Sequence, residues 1–159
     1  MKLLLAAGAL VLPVLLAGVL SGCAPSVTQT ITYVEHADTD AVGDVAPEGD
    51  SVGDTLGFAN PVYDADNQVQ VGTDNGSCIR TAAGEAWECI WTLILPDGQI
   101  TVEGPFYDAK DSMMAVTGGT DAYREVRGQM LLHSRNDQGS EFDFTYTLIL
   151  PPPATAQAK

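Results

Sequence analysis

The chain has 159 residues and a formal net charge of −14, and 45% of its residues are hydrophobic. This length fits one domain. The acidic balance argues against binding to nucleic acid and against electrostatic attraction to anionic lipid, because such a surface repels other anions. No nucleic-acid partner is therefore expected.

The N-terminus has the composition of a targeting segment. A short basic start precedes an apolar run over residues 3–20, and the tetrapeptide Leu-Ser-Gly-Cys that ends at Cys23 resembles the lipobox of bacterial lipoprotein signal peptides. We therefore predict cleavage of residues 1–22, lipidation of Cys23 and tethering to the extracytoplasmic face of the bacterial cell membrane. An uncleaved transmembrane helix is the alternative, because the run approaches the ~20 residues that span a bilayer.

Cysteine usage points to a disulfide. If Cys23 is lipidated, two of the three cysteines remain, Cys78 and Cys89, and exported proteins live where disulfides persist. A two-residue turn at Ala83 and Gly84 would place Cys78 directly opposite Cys89 in a hairpin, at a Cβ separation near that of a disulfide. A slightly longer loop keeps this pairing. We predict a Cys78–Cys89 disulfide, with two unlinked buried thiols as the alternative.

The remaining sequence is divided into short strands. Eight segments alternate between apolar and polar residues, turn residues separate them, and no convincing helical period follows Cys23. Residues 38–54 have no period and are predicted to be an acidic loop, and residues 151–159 are predicted to be a disordered tail. The predicted strands span residues 26–37, 55–63, 68–81, a fourth that ends at Leu95, 99–107, 112–116, 124–134 and 141–150.

Eight short strands predict an all-β sandwich or barrel over residues 23–150. A closed eight-stranded antiparallel β-barrel is favoured because it leaves no open sheet edge. A barrel of this size encloses room for side chains or one small ligand. The function is therefore expected to depend on what occupies the interior.

Three motifs carry a resemblance to a known family. They are Val-Gly-Asp-Thr-Leu-Gly-Phe-Ala-Asn-Pro-Val-Tyr from Val52, Glu-Gly-Pro-Phe from Glu103 and Val-Thr-Gly-Gly-Thr from Val116. In this order they resemble the allene oxide cyclase family and, more distantly, the dirigent proteins, from near Gly53 to His133. The resemblance implies an eight-stranded antiparallel barrel with an apolar central cavity and no cofactor, commonly assembled as a homotrimer.

The resemblance also implies site residues. In the family, a first-strand glutamate stabilises positive charge while an unstable fatty-acid epoxide cyclises, and an asparagine helps to hold a water on the epoxide oxygen. Glu35 resembles that glutamate, Asn60 resembles the asparagine and Cys78 matches a cavity cysteine. The chain departs from the pattern at Ala37, where a second asparagine is expected, and in the loop 38–54, which lacks a water-holding serine-proline pair. These departures favour inheritance of the cavity over plant-like epoxide cyclisation.

Aromatic residues on the strands are candidates for the ligand-binding wall, with core packing as the alternative. Arg80, opposite Trp87 in the predicted hairpin, either neutralises a ligand carboxylate or rests on Trp87 in a cation–π contact, and the second is favoured. No metal-ligand spacing, calcium loop, nucleophile elbow or phosphate-binding loop is present, so neither a metal nor a cofactor is predicted. The candidate ligand-binding residues are Tyr33, Phe58, Tyr63, Trp87, Trp91 and Phe106.

Three functions fit these observations. The first is an extracytoplasmic lipoprotein barrel that binds a small hydrophobic ligand and acts as an allene-oxide-cyclase-like or dirigent-like isomerase or cyclase. The second is a non-catalytic carrier of a lipid or metabolite, and the third is a structural envelope lipoprotein. An enzyme would place a carboxylate or an asparagine in the cavity, a carrier would have a uniformly apolar cavity, and a structural protein would have none.

Overall fold

A computed structural model describes residues 25–152 of the chain. The predicted signal segment 1–22, the lipidation of Cys23 and residues 153–159 of the predicted tail lie outside the described residues. No helix within residues 25–152 has the length and apolar character needed to cross a membrane. The elements are β1 (Val27–His36), β2 (Ala41–Gly43), β3 (Thr55–Tyr63), β4 (Gln70–Ala82), β5 (Ala86–Leu95), β6 (Gly98–Tyr107), β7 (Ser112–Gly119), a 3-10 turn (Asp121–Tyr123), β8 (Arg127–Ser134) and β9 (Glu141–Leu150).

The eight long strands form a closed antiparallel barrel, which confirms the predicted fold class. Neighbouring strands run in the order β1-β9-β8-β7-β6-β5-β4-β3, and a pairing between β1 and β3 closes the ring. Alternate residues on each strand point inward, as the period-two pattern predicted. On β9, for example, Phe142, Phe144, Tyr146 and Leu148 are all buried.

The closing seam is short and has a gap. β3 pairs with β1 only at Val62 and Tyr63, and it pairs with the additional strand β2 at its opposite end, from Thr55 to Gly57. The stretch of β3 between these two pairings contains Asn60 and Pro61. Proline cannot donate a ladder hydrogen bond, so it fits a position where no backbone partner is needed on that side.

The loop predicted over residues 38–54 is ordered by its own carboxyl groups and contains the unpredicted strand β2. Asp54 Oδ1 accepts a hydrogen bond from Val45 N at 2.9 Å, and Asp54 Oδ2 accepts one from Ser51 N at 2.9 Å. These two bonds fold the loop into a compact turn before β3. The short β2 has no sequence period because all three of its residues are exposed.

The hairpin of β4 and β5 has the predicted register. Cys78 lies opposite Cys89 and Arg80 lies opposite Trp87. A shift by one residue before the tip makes Ala82 pair with Ala86, so the loop has three residues rather than the predicted two. The predicted Cys78–Cys89 disulfide is confirmed, with an S–S distance of 2.01 Å.

The opposite end of the barrel is closed by the 3-10 turn. Residues 124–134 were predicted as one strand, but β8 begins at Arg127 because Tyr123 and Val126 turn into the core. The hydroxyl of Tyr123 donates to the carboxylate of Asp97 at 3.3 Å. This end therefore contains packed side chains, and access to the interior lies at the other end, which we call the mouth.

Candidate functional site

The barrel holds an apolar cavity of about 220 Å³ toward the mouth. Trp91 lies at the centre of its wall, stacked on Phe144 at 5.4 Å between ring centroids and contacted edge-on by Phe58 at 5.9 Å. The Cys78–Cys89 disulfide is part of the same wall. The other apolar side chains of the wall are Leu56, Phe106, Leu132 and Phe142.

The cavity opens into a wider and more polar groove of about 570 Å³ at the mouth. The loops that follow β6 and β8 form this groove, and it shares Phe106, Leu132 and Phe142 with the cavity. Lys110 and Arg135 line the groove. A ligand can therefore place an apolar part inside the barrel and a polar part in the groove.

Glu35 lies in the wall of the apolar cavity. It alternates inward on β1 and is paired with Phe142 of β9 and Val62 of β3, so the seam of the barrel holds it on both sides. Its side chain is 4% exposed. Oε1 accepts a hydrogen bond from Asn60 Nδ2, whereas Oε2 has no hydrogen-bond partner among the described residues.

Asn60 bridges the gap in the seam. Its Oδ1 accepts hydrogen bonds from Thr39 N at 2.9 Å and from Thr39 Oγ1 at 2.8 Å. Its Nδ2 donates to Asp40 Oδ1 at 2.8 Å as well as to Glu35. Thr39 Oγ1 in turn accepts a bond from Ala59 N at 2.8 Å. All the hydrogen-bonding capacity of the Asn60 amide is therefore used, and the amide fixes the position of the Glu35 carboxyl.

The pKa of Glu35 is raised to about 9, first by burial and then by the negative charge of Asp74. The hydrogen bond from Asn60 lowers the pKa in part, and Asp40 adds a smaller increase. Glu35 is therefore a neutral acid at pH 7. Because Oε1 accepts the Asn60 N–H, the acid proton lies on Oε2, the oxygen without a partner, where it is free to be donated.

Three of the predicted ligand-binding residues, Phe58, Trp91 and Phe106, line the cavity. Tyr63 does not, because it lies on the outward side of β3 and stacks on His36 at 4.3 Å. Tyr33 points inward but lies deeper than the cavity, edge-on to Tyr146 at 6.1 Å. Neither tyrosine is part of the cavity wall, and their contact with a ligand stays a prediction.

Trp87 is also absent from the cavity wall, because Arg80 covers its ring. The Arg80 guanidinium lies 4.5 Å from the ring centroid, which is the cation–π arrangement favoured by the sequence. Arg80 Nε donates to Asp50, and its Nη1 donates to Asp108 Oδ1 at 2.7 Å. Its charge is thus neutralised by two aspartates at the mouth.

Sequence reasoning missed two buried polar residues beside Glu35. Asp74 is wholly buried on β4 and neither of its carboxyl oxygens has a hydrogen-bond partner among the described residues. The hydroxyl of Tyr146, also wholly buried, lacks a partner in the same way. Burial followed by the charge of Asp74 raises the pKa of Tyr146. The inward parity of β4, which Cys78 and Arg80 define, was the signal that could have located Asp74.

Among residues 25–152, no three His, Cys, Asp or Glu side chains are grouped so that they could hold a metal ion. The cavity presents a neutral carboxylic acid, Glu35, beside the apolar side chains of its wall. Such a group can donate a proton or a hydrogen bond to a ligand atom and then take the proton back.

Comparisons with solved structures support the same fold. A pyocyanin demethylase is 28% identical, with a TM-score of 0.62, over 76% of this chain and all of that one. A pterocarpan synthase dirigent protein is 16% identical, with a TM-score of 0.67, over 86% of this chain and 95% of that one. A Diels–Alderase from Streptomyces koyangensis is 13% identical, with a TM-score of 0.62, over 84% of this chain and 73% of that one. The last two likenesses concern the fold alone.

The family comparison covers most of the barrel. The profile of the allene oxide cyclase family matches residues 32–148, from the middle of β1 to near the end of β9. Glu35, Asn60 and every wall residue of the cavity fall within this range. The chain belongs to the allene oxide cyclase family.

Proposed function

We propose that this protein binds a small, largely apolar ligand in the barrel cavity and catalyses its isomerisation or cyclisation, with Glu35 as the proton donor. One observation carries the proposal: Glu35 Oε2 lies without a partner among the described residues in a cavity wall that is mostly apolar, on a carboxyl whose pKa is about 9. Asp40, Asn60 and Asp108 are the other polar residues of that wall. A buried polar atom without a partner costs free energy, so its retention favours a role in binding or catalysis.

The proposed reaction needs no net transfer of atoms. Glu35 donates its proton to an oxygen or ring nitrogen of the ligand, which makes the neighbouring carbon electron-poor and lets a new ring bond form. The resulting Glu35 carboxylate then takes a proton back from the product, so the enzyme is restored. The apolar walls exclude water from the reacting atoms and hold the ligand in one folded conformer.

The size of the cavity limits the ligand. At about 220 Å³ it exceeds the cavity of ~150 Å³ that holds one benzene molecule, and it is smaller than the ~300 Å³ at which drug-sized pockets begin. One ring or two fused rings therefore fit inside, and longer ligands extend into the groove. The 28% identical structure is named for removing a methyl group from pyocyanin, so pyocyanin belongs in the ligand panel.

The test compares Glu35→Gln with Glu103→Gln. Both variants replace a glutamate by its neutral amide, but Glu103 lies on the exposed outer side of β6. Quenching of Trp91 fluorescence measures binding of pyocyanin and of a panel of neutral enones and epoxides, and chromatography measures their conversion. We expect Glu35→Gln to bind within a few-fold of the wild type and to lose turnover by about 10²- to 10⁴-fold, while Glu103→Gln stays unchanged. Equal turnover by Glu35→Gln and the wild type would remove Glu35 from the mechanism.

A non-catalytic carrier is the weaker candidate, because it would not need an unpaired acid in its cavity. Binding of panel ligands that is equally tight in the wild type and in Glu35→Gln, with no conversion by either, would favour the carrier.

We also propose that the barrel is held at the extracytoplasmic face of the bacterial membrane by lipid on Cys23. The apolar run and the tetrapeptide that ends at Cys23 support this, and the Cys78–Cys89 disulfide is consistent with export to an oxidising compartment. Mass analysis of the N-terminal peptide from membranes should find a diacylated Cys23, and Cys23→Ser should release the protein from the membrane fraction. An unmodified Cys23 in the mature protein would contradict the proposal. Assembly as a homotrimer stays a prediction.

A further inference from the structure

Asp74 is a buried acid whose side chain makes no hydrogen bond to the rest of the barrel among the described residues. It lies on β4, opposite Asn60 of β3 and Leu93 of β5, and its side chain is 0% exposed. Both carboxyl oxygens lack a hydrogen-bond partner among the described residues. Leaving a buried carboxyl unpaired is costly, and a well-packed apolar residue would avoid that cost.

No cation compensates Asp74 in the described part of the chain. Arg80 shares the inward side of β4 with Asp74, but its guanidinium is bound to Asp50 and Asp108 at the mouth. None of the ion pairs among residues 25–152 includes Asp74. The proton of Asp74 is therefore the means by which the interior avoids a buried negative charge at this position.

Asp74 and Glu35 act on each other through the interior they share. Asn60 connects them, because it donates a hydrogen bond to Glu35 and is the direct cross-strand neighbour of Asp74. Two carboxyls that face each other in an apolar interior resist ionising together, because the second charge would be repelled by the first. Burial raises the pKa of Asp74 to about 8, and the charge of Asp74 is the second cause, after burial, of the raised pKa of Glu35.

We propose that Asp74 is a positioning residue whose ionised carboxylate delays the ionisation of Glu35 to a higher pH, so that over a wider pH range the buried end of the cavity accepts a neutral hydrogen-bond acceptor and rejects an anion. This inference rests on the proposed function, because it takes Glu35 to be the group that meets the ligand. The inference predicts ligands that place a carbonyl, an ether oxygen or a ring nitrogen at the buried end of the cavity. A carboxylate at that end would meet Glu35 in a cavity wall that has no Lys, Arg or His and that also contains Asp40 and Asp108.

The titratable groups that face Glu35 come from three parts of the chain. Asp74 faces it from β4, Tyr146 faces it from β9, and Asp38 and Asp40 face it from the segment after β1. The negative charges of the three aspartates disfavour the charged form of Glu35, and the charge of Asp74 has the largest effect. Asp74 is also the most deeply buried of the three.

The experiment measures the titration of Glu35 without any ligand. Carboxyl carbon shifts in ¹³C NMR are followed from about pH 4 to pH 11, and the Glu35 signal is identified by its absence in Glu35→Gln. We expect a midpoint near 9 in the wild type and a midpoint lower by about one to two pH units in Asp74→Asn, because the like charge has been removed. The matched control is Asp66→Asn in the exposed turn after β3, which should leave the midpoint unchanged.

A Glu35 midpoint that is the same in Asp74→Asn and the wild type would overturn the inference. If Asp74→Asn does not fold, the wild type alone decides, because coupled carboxyls give each carbon a two-step titration curve. A single step near the ordinary glutamate value would overturn the inference, and two steps above pH 7 would support it.

Ligand discrimination is tested with acetophenone and benzoate, which share a phenyl ring and differ in the charge of the oxygen-bearing group. We expect the wild type to bind acetophenone at least tenfold more tightly than benzoate at pH 7, and Asp74→Asn to lose acetophenone affinity at a lower pH than the wild type does. Tighter binding of benzoate would overturn the assigned ligand class. Failure of both probes to bind would contradict the proposed ligand site, whereas the NMR titration would still decide the role of Asp74.

Discussion

Carboxyl groups occupy two contrasting settings in this barrel. At the mouth, Arg80 binds both Asp50 and Asp108, and the hydrogen bond from Arg80 lowers the pKa of Asp50. In the interior, Glu35 and Asp74 have no cation, and burial raises the pKa of each. The paired acids hold loops against the barrel, whereas the unpaired acids cost stability and retain protons. The two acids that a cation neutralises, Asp50 and Asp108, thus have a structural role. The two acids without a cation, Glu35 and Asp74, belong to the candidate catalytic site.

A single strand carries both settings. Asp74, Gly76, Cys78 and Arg80 follow one another on the inward side of β4, from the deep interior to the mouth. The disulfide at Cys78 lies between the two carboxyl clusters, beside the glycine that makes room for the cavity wall. Substitutions at successive inward positions of β4 therefore test the difference between the paired acids at the mouth and the unpaired acids in the interior.

The largest expected effect is a loss of stability as the pH rises. The folded-state pKa values of about 9 for Glu35 and about 8 for Asp74 exceed the ordinary values of 4.5 and 3.8. The folded chain therefore holds more protons than the unfolded chain between those values. The free energy of unfolding should fall through this window by up to about 1.4 kcal/mol per pH unit for each carboxyl.

Urea denaturation at a series of pH values measures this slope. The double variant Glu35→Gln/Asp74→Asn should flatten the slope and be the more stable protein at pH 8. A double variant with the same slope as the wild type would mean that the two acids are not held protonated in the folded state.

The next effect is that of the disulfide. Replacing Cys78 and Cys89 together by alanine should lower the free energy of unfolding by about 3 kcal/mol, because the unfolded chain regains the entropy of an open loop. Denaturation under non-oxidising conditions measures the loss, and the wild type treated with reductant should match the variant. Equal stability of the wild type with and without reductant would show that the hairpin is held by its ladder alone.

A smaller effect is expected at Gly76, which gives space to the cavity wall. A Cβ at this position would lie 2.6 Å from Phe58 Cζ and would also meet Trp91. Gly76→Ala should therefore cost about 2 kcal/mol and displace both rings, which weakens ligand binding. Gly57→Ala is the matched control, because a Cβ there meets nothing within 4 Å. Equal effects of the two substitutions would contradict the packing argument.

The smallest effect is expected at the mouth. Asp50→Asn removes one charge partner of Arg80, but Asp50 is exposed and Asp108 keeps its bond, so the melting temperature at pH 7 should fall only slightly. Because the folded-state pKa of Asp50 is lowered, its contribution is present above the ordinary value of 3.8 and is lost as the pH falls. The difference between the thermal melts of the variant and those of the wild type should therefore be largest at pH 7 and should shrink as the pH falls below 3.8. This pH response has the opposite sign to that of Glu35 and Asp74.

The fold could be predicted from the sequence because inward and outward residues alternate so regularly. The register of the β4–β5 hairpin followed from the position of its turn, and it correctly paired Cys78 with Cys89 and Arg80 with Trp87. The strand β2 could not be predicted, because its three exposed residues leave no pattern. The acids that bind Arg80 come from distant loops, and a single sequence does not indicate which loop carboxyl reaches which cation.

The candidate site was predictable only in part. Glu35 and Asn60 were identified through the family motifs, and the structure places them in contact. Asp74 was missed because a single aspartate between two glycines, Gly72 and Gly76, belongs to no motif that would mark it as buried. The register changes only near Gly72, and from Thr73 to Arg80 it is regular, so Asp74 shares the inward side of Cys78.

The bridge that Asn60 forms across the closing seam ties the chemistry to the completion of folding. The Asn60 amide binds Thr39 and also fixes the orientation of the Glu35 carboxyl. In a chain whose barrel has not yet closed, the Glu35 carboxyl is not oriented by Asn60, and no water-excluding cavity has formed around it. An incompletely closed barrel would therefore lack the arrangement that the proposed function requires.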